Sequence, residues 1–181
     1  MNILYLGEKQ NEKMFSFLSK YGETHFHNNE LESLNYQKFD WIISYGYRHI
    51  ISKNHLDNLK NPIINLHISY LPFNRGAHPN YWSFKEKTPK GVTIHFMDEG
   101  IDTGPILVQK KQVFTETDTL FSSYIKLKKT IEDLFYKSFN KIISNKIFPK
   151  PQIGVGSFHK EKDLPKNIDW NIKINKIQKN D

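Results

Sequence analysis

Short apolar segments that alternate with helical patterns decide which folds are open to this chain of 181 residues. Residues 2–6, 24–27, 39–47 and 62–67 have the apolar character of strands, and residues 11–22 carry apolar side chains at helical spacing. The run over 39–47 is apolar almost throughout, which is typical of a strand buried on both faces of a parallel sheet. We therefore predict an α/β fold with a Rossmann-like, mostly parallel sheet flanked by helices.

The second half of the chain continues this pattern and then changes character. We predict a short helix from Pro79, strands over 91–97 and 105–114, and a long helix with one apolar stripe over about 118–145. After Pro149 the sequence is polar and irregular. These features predict a catalytic domain over 1–148 and a short C-terminal extension over 149–181.

The extension has few large apolar side chains, so it must dock on the main domain, pair with another chain or remain loose. Trp170 stands isolated in this polar segment. An isolated tryptophan of this kind commonly anchors an interface, which makes a homodimer contact an alternative to docking within the chain.

The composition excludes several classes of function. The chain has no cysteine, so disulfides, thiolate zinc sites and thiol nucleophiles are ruled out. It has no signal-peptide pattern at its N-terminus and no run near the ~20 apolar residues of a membrane span, so we expect a cytoplasmic protein with no membrane partner. The net charge of +7 favours anionic ligands, or reflects a lysine-rich composition alone. The lysines are scattered rather than clustered, so we expect no nucleic-acid partner.

The loops after the predicted strands carry the candidate functional residues. Ligands of such sheets bind beyond the carboxyl ends of the strands, so we expect the loops after Tyr45, His67 and Met97 to meet there. The loop after the first strand, LGEKQNEK, has no glycine-rich phosphate-binding pattern. A dinucleotide or ATP cradle is therefore not expected at that position.

Two polar side chains end the strand over 62–67. Asn65 and His67 are two positions apart and so point to the same face. If Asp102, from the segment MDEGIDTGP, meets His67, the site holds a carboxylate, an imidazole and a carboxamide without a serine or cysteine nucleophile. That set suits direct acyl transfer, with Asn65 and His67 donating to a developing oxyanion and Asp102 orienting His67.

Other interpretations of these residues remain open at this point. Polar groups at a strand end can simply satisfy the backbone of the following loop. A metal site is a second alternative, because His25, His27, His78 and His95 lie in neighbouring segments. Zinc would require three protein ligands and one open position.

Two separated motifs, INLHISYLPFNRGAHPNYWSF and GVTIHFMDEGIDTGPILVQ, resemble those of the folate-dependent formyltransferases, and the resemblance covers roughly residues 39–109. It implies 10-formyltetrahydrofolate as donor, an amine as acceptor and no metal. It implies that Asn65, His67 and Asp102 are catalytic, and that Leu71–Pro72 is a cis bond. The expected folate-binding residues are His49, Ile50, Ile51, Asp98, Glu99, Gly100 and Ile101.

Within that family, the chain is most similar to small amino-sugar N-formyltransferases, which implies a small-molecule acceptor linked to a nucleotide. The expected substrate-binding residues are Arg75, Gly76, His78, Asn80, Tyr81 and Trp82. Arg75, one of only two arginines, would grip a phosphate or carboxylate, or would brace its own loop. The alternatives are another small amine such as glycinamide ribonucleotide, a metal-dependent hydrolase, or a non-catalytic binder of folate or nucleic acid.

Overall fold

The computed structural model describes residues 1–177. Within these residues, eight strands and four α-helices follow one another. In chain order they are β1 (Asn2–Leu6), α1 (Glu12–Leu18), β2 (Glu23–His27), β3 (Trp41–Ser44), α2 (Lys53–Asp57), β4 (Ile64–His67), β5 (Arg75–Gly76), α3 (Pro79–Lys85), β6 (Gly91–Phe96), β7 (Ile106–Lys111), α4 (Leu120–Ile143) and β8 (Phe158–His159).

Six of the strands form one sheet in the order β2-β1-β3-β4-β6-β7. The first four strands of that order are parallel, whereas β6 runs antiparallel to both β4 and β7. The predicted Rossmann-like, mostly parallel sheet flanked by helices is therefore confirmed.

Alternating side chains of the parallel strands bury both faces of the sheet. Ile3, Tyr5 and Ile43 pack with α1 and α4 in the larger core, which also contains Phe135 of α4. Their neighbours along the strands pack into a second core on the other face, with Leu4, Leu6, Ile42 and Ile63 buried there. Burial on both faces explains why the predicted strands are apolar almost without interruption.

Helix α4 covers one face of the sheet with the apolar stripe seen in the sequence. It begins after Thr119, whose hydroxyl accepts a hydrogen bond from the Ser122 amide, while the Ser122 hydroxyl accepts one from the Thr119 amide. This reciprocal capping satisfies two amides that the helix itself leaves unpaired. Among the helices of residues 1–177, none is long and apolar enough to cross a membrane.

The C-terminal segment, defined here as residues 150–177, docks on the rest of the chain. Strand β8 pairs in parallel with β5, so that His159 lies opposite Gly76. A side chain at Gly76 would collide with the His159 carbonyl, and its φ of +82° also favours glycine. Further along, apolar side chains of the segment pack against α3 and the start of α4; they are Leu164, Ile168, Ile172, Ile174 and Ile177. The division of the chain at residue 148 stays a prediction.

Candidate active site

Strand β4 presents the two polar residues that the sequence singled out. Asn65 and His67 are each 8% exposed, at the end of a strand whose other positions are apolar. Asn65 lies opposite His95 of β6, and His67 lies opposite Thr93. Both polar side chains are therefore buried on a strand that is paired with β6.

The loop after Met97 leaves the sheet at a different edge from the one predicted. Because β6 runs antiparallel to β4, Met97 lies beside the amino end of β4, where its amide donates to the Ile63 carbonyl at 2.9 Å. The prediction that this loop opens at the carboxyl edge of the sheet is therefore wrong. The loop nevertheless folds back and brings Asp102 to Asn65 and His67.

Asp102 is the centre of the site. One carboxylate oxygen accepts a hydrogen bond from Asn65 Nδ2 at 3.1 Å, and the other accepts one from the Gly76 amide at 2.8 Å and lies 3.5 Å from His67 Nδ1. Burial alone would raise the pKa of this carboxyl. The charge of His67 and the hydrogen bond from the Gly76 amide outweigh burial and hold the pKa well below its ordinary value of 3.8. Asp102 is therefore an ionised acceptor.

His95 fixes the orientation of the Asn65 carboxamide. Its Nδ1 lies 2.7 Å from the Phe96 carbonyl and so carries a proton, while its Nε2 lies 3.0 Å from Asn65 Nδ2. Because Asn65 Nδ2 also donates to the ionised Asp102, the amide nitrogen and not the oxygen must face both partners, and His95 accepts at Nε2. The Asn65 carboxamide oxygen has no hydrogen-bond partner within residues 1–177 and remains available to a ligand. This orientation does not favour the prediction that Asn65 donates to an oxyanion, because its nitrogen already bonds to Asp102 and His95.

Both ring nitrogens of His67 face oxygen atoms. Nε2 lies 3.1 Å from the Asn74 carbonyl, and Nδ1 faces Asp102. Asn74 is fully buried with a φ of +57°, and its amide donates to the Ser157 hydroxyl at 2.9 Å. The backbone that positions His67 is thus held in turn by the C-terminal segment.

The two segments predicted to bind folate flank one another. Met97 and Ile51 pack into the same apolar cluster, and Lys53 pairs with Glu99 at 2.9 Å on the surface. His49 contacts the Asn28 carbonyl at 3.1 Å, which turns its ring towards β2. The rest of the predicted set lies in loops: Ile50 is 84% exposed, Ile101 is 48% exposed, and Asp98 accepts a hydrogen bond from the Gly100 amide.

Arg75 and Gly76 reach the site, but the arginine has a protein partner. The Arg75 guanidinium donates to Gln152 Oε1 from Nε at 3.2 Å and from a terminal nitrogen at 2.7 Å. Gly76 contributes its amide to Asp102. The arginine therefore ties its loop to the C-terminal segment and not to its own backbone carbonyls, and its role as a substrate ligand stays a prediction.

Of the remaining predicted substrate residues, two contact the C-terminal segment and two are buried between α3 and α4. His78 faces Glu161 at 2.9 Å, and the Trp82 ring stacks on His159 with ring centroids 4.0 Å apart. Asn80 is 3% exposed, and its carboxamide donates to the Leu120 carbonyl and accepts from Ser123. Tyr81 is buried in the same packing between α3 and α4. These contacts do not favour the prediction that Asn80 and Tyr81 touch a ligand.

The predicted cis bond is present at Leu71–Pro72. Sequence reasoning missed three contributors to the site, namely His95 as a partner of Asn65, the Asn74 carbonyl and Gln152. His95 was weighed only as a metal ligand, because its pairing with β4 is not visible in the sequence. Within residues 1–177, no three histidine or acidic side chains are arranged to hold a metal ion.

A carboxylate, an imidazole and a carboxamide that meet at the end of a strand, with no side-chain nucleophile among them, define a site suited to direct acyl transfer. The chain belongs to the formyl transferase family, whose sequence model matches residues 8–138. The family resemblance predicted from the two motifs is therefore confirmed.

Curated relatives include methionyl-tRNA formyltransferases. That of Thermodesulfovibrio yellowstonii is 37% identical over 151 residues, which cover 82% of this chain and 48% of the relative. That of Pseudoalteromonas translucida is 35% identical over 158 residues, which cover 84% of this chain and 47% of the relative. The chain thus spans about half the length of the curated relatives it matches.

Among solved structures, the formyltransferase PseJ from Anoxybacillus kamchatkensis is 42% identical, with a TM-score of 0.89 over 98% of this chain and 97% of that chain. That protein was solved in complex with UDP-4,6-dideoxy-4-formamido-L-AltNAc and tetrahydrofolate. A sugar N-formyltransferase from Shewanella sp FDAARGOS_354 shares the fold at 22% identity, with a TM-score of 0.77 over 98% of this chain and 86% of that chain.

Proposed function

We propose that this protein transfers a formyl group from 10-formyltetrahydrofolate to the amine of a nucleotide-linked amino sugar. The observation that carries the proposal is the contact of Asp102 with both Asn65 and His67. Support for the substrates comes from PseJ, the solved relative at 42% identity, which binds a UDP-linked formamido sugar and tetrahydrofolate.

In the proposed reaction the acceptor amine attacks the formyl carbon directly. A bond forms between the amine nitrogen and the formyl carbon, the bond from that carbon to N10 of the folate breaks, the amine loses a proton and N10 gains one. Asn65 offers its free carboxamide oxygen to an N–H of the attacking amine. The Nε2–H of His67 exchanges the Asn74 carbonyl for the formyl oxygen, and Asp102 stabilises the charge on the imidazole.

The donor and the acceptor take different sides of this site in the proposal. The folate would lie against residues 49–51 and 98–101, whose loops already contact one another. The acceptor would enter past β5 and α3, where His78 and Trp82 stand beside the C-terminal segment. Residues 1–148 would then form the catalytic domain, with residues 149–181 as an extension on the acceptor side.

The test is an assay of the purified chain with 10-formyltetrahydrofolate and a panel of acceptors, in which release of tetrahydrofolate and the mass of the product are measured. The panel contains UDP- and dTDP-linked amino sugars, free amino sugars and glycinamide ribonucleotide. Methionyl-tRNA is included because the curated relatives carry that name. Asp102→Asn is the inactive control. Folded protein that formylates no amino sugar contradicts the proposal, and formylation of a free sugar alone contradicts its nucleotide part.

A further inference from the structure

The side chain of Gln152, in the C-terminal segment, hydrogen-bonds to two backbone carbonyls of the turn that contains Asp102. Its side-chain nitrogen donates to the Asp102 carbonyl at 2.8 Å and to the Gly104 carbonyl at 2.9 Å. Two carbonyls two residues apart therefore converge on one amide group. This contact clamps the turn that carries the central carboxylate.

The turn needs such a clamp because its backbone is unusual. Asp102 has a φ of +54°, in the left-handed region that few residues other than glycine adopt. At Gly104 a Cβ atom would collide with the Phe96 carbonyl, so this backbone also passes very close to β6. A strained and tightly packed turn keeps its shape only when surrounding contacts determine it.

Arg75 fixes Gln152 in the orientation that this clamp requires. Its guanidinium donates twice to Gln152 Oε1, at 3.2 Å and 2.7 Å, which leaves the amide nitrogen of Gln152 facing the turn. A planar guanidinium can do this with two N–H groups that converge on one oxygen, whereas a lysine offers a single point charge. Arg75 thus determines which end of the Gln152 carboxamide meets the carbonyls.

The Asp102 turn, β5 and the C-terminal segment also meet around the carboxylate itself. Gly76, next to Arg75 in β5, donates its amide to Asp102 Oδ2 at 2.8 Å. The Arg75 amide donates to the Ser157 carbonyl at 2.9 Å, so β5 is attached to the C-terminal segment by its backbone as well. These contacts form a ring. Gln152 bonds to the turn, the Asp102 side chain of that turn accepts from β5, and Arg75 of β5 bonds back to Gln152.

We propose that Gln152 and Arg75 are positioning residues for Asp102, which makes the C-terminal segment part of the active site. The proposal rests on the proposed function for its kinetic consequences, although its structural consequences can be measured without substrate. Misplacement of a catalytic group by about 1 Å can cost on the order of a hundredfold in rate. Loss of the clamp should therefore lower turnover without weakening the binding of either substrate.

Gln152→Glu is the most direct test, because the substituted side chain keeps its shape and its acceptor oxygen for Arg75. It has no N–H for the carbonyls of Asp102 and Gly104 and repels them instead. We expect kcat to fall about tenfold to a hundredfold, with KM for donor and acceptor within about twofold of the wild type. Gln152→Met, which keeps the length but has neither donor nor strong acceptor, should lower kcat in the same way.

Hydrogen exchange of the Gly76 amide reports the position of the Asp102 carboxylate without any catalytic turnover. In Gln152→Glu this amide should exchange at least about tenfold faster, because its acceptor has moved. Arg75→Lys should also make the Gly76 amide exchange faster, but by a smaller factor. Gln37→Glu is the matched control, since Gln37 is exposed in the short 3-10 helix before β3, and it should leave turnover and exchange unchanged.

Two results would overturn the inference. Unchanged kcat and unchanged Gly76 exchange in both Gln152 variants would show that the clamp does not position Asp102. A rise in acceptor KM with unchanged kcat would assign Gln152 to substrate contact instead. If the wild-type protein formylates no acceptor, the proposed function fails, and the exchange of Gly76 alone then decides the positioning role.

Discussion

The carboxamide nitrogen of Asn65 lies 3.0 Å from Nε2 of His95, across the antiparallel pair of strands β4 and β6. His95 is 1% exposed, so this contact is shielded from solvent. It keeps the carboxamide nitrogen bonded to protein groups and leaves the carboxamide oxygen free to accept a hydrogen bond from a ligand. His95 therefore determines which chemical group Asn65 presents to a substrate.

His95→Phe should uncouple Asn65 from this orientation. The phenyl ring fills nearly the same volume but accepts no hydrogen bond, and it leaves the Phe96 carbonyl without its donor. We expect kcat to fall at least about tenfold and the free energy of unfolding to fall by about 1–3 kcal/mol, the cost of an unpaired buried group. Steady-state kinetics and urea unfolding measure the two effects. Turnover at the wild-type level would show that Asn65 does not need this partner.

The order and type of the main elements could be predicted from the sequence, because strands buried on both faces and an amphipathic helix leave strong apolar patterns. The direction of β6 could not, since antiparallel pairing next to a parallel sheet leaves no signature in GVTIHFM. That direction decides where the loop after Met97 begins and places His95 beside Asn65.

The candidate site was predictable where residues lie close in sequence and obscure where they do not. Asn65 and His67 share a strand face, and the motif resemblance supplied Asp102. Gln152 gave no signal, because its function depends on how a polar segment folds back over a turn 50 residues earlier. Asn80 was predicted to contact a ligand because it is a polar residue in a loop motif. The sequence does not reveal that its hydrogen-bond partners lie on α4.

The depressed pKa of Asp102 predicts a specific dependence of stability on pH. A carboxyl whose pKa is lower in the folded than in the unfolded state stabilises the fold above its ordinary value of 3.8, and this stabilisation is lost as the pH falls towards the folded value. Asp102→Asn cannot ionise at this position. The free energy of unfolding of the wild type should therefore decline more steeply below about pH 4 than that of the variant.

Urea unfolding of both proteins between about pH 5 and pH 3 provides the measurement, because the carboxyl groups distant from Asp102 are common to the two proteins and cancel in the difference. The difference should shift in favour of the variant as the pH falls across this range. A difference that stays constant down to about pH 3 would be evidence against a depressed pKa of Asp102.

Asn80→Ala separates packing from ligand binding at α3. In the structure its carboxamide joins α3 to α4 through the Leu120 carbonyl and the Ser123 hydroxyl. We expect a loss of about 1–3 kcal/mol in the free energy of unfolding and an acceptor KM within about twofold of the wild type. His78→Ala is the comparison, since His78 is partly exposed and should change the acceptor KM instead. A raised acceptor KM with normal stability in Asn80→Ala would restore its predicted role as a ligand contact.

Removal of the C-terminal segment should damage both stability and activity. A chain that ends at Pro149 lacks the side chains that pack against Tyr81 and Leu120, and it also lacks Gln152. We expect a lower melting temperature and loss of formyl transfer, as measured by thermal unfolding and the tetrahydrofolate assay. A truncated chain with normal stability and turnover would deny the segment any role in the site.

Light scattering tests the homodimer that Trp170 predicts. Trp170 is 41% exposed beside the start of α4, where Phe121 and Ile125 are also exposed, and its carbonyl accepts a hydrogen bond from the Phe121 amide. If a second chain covers this surface, the full-length protein should have the mass of two chains, and Trp170→Ser combined with Phe121→Ser should reduce it to one without loss of fold. Ile153→Ser is the matched control, because Ile153 is exposed elsewhere in the C-terminal segment. A full-length protein with the mass of a single chain contradicts the homodimer and leaves docking within the chain as the function of the segment around Trp170.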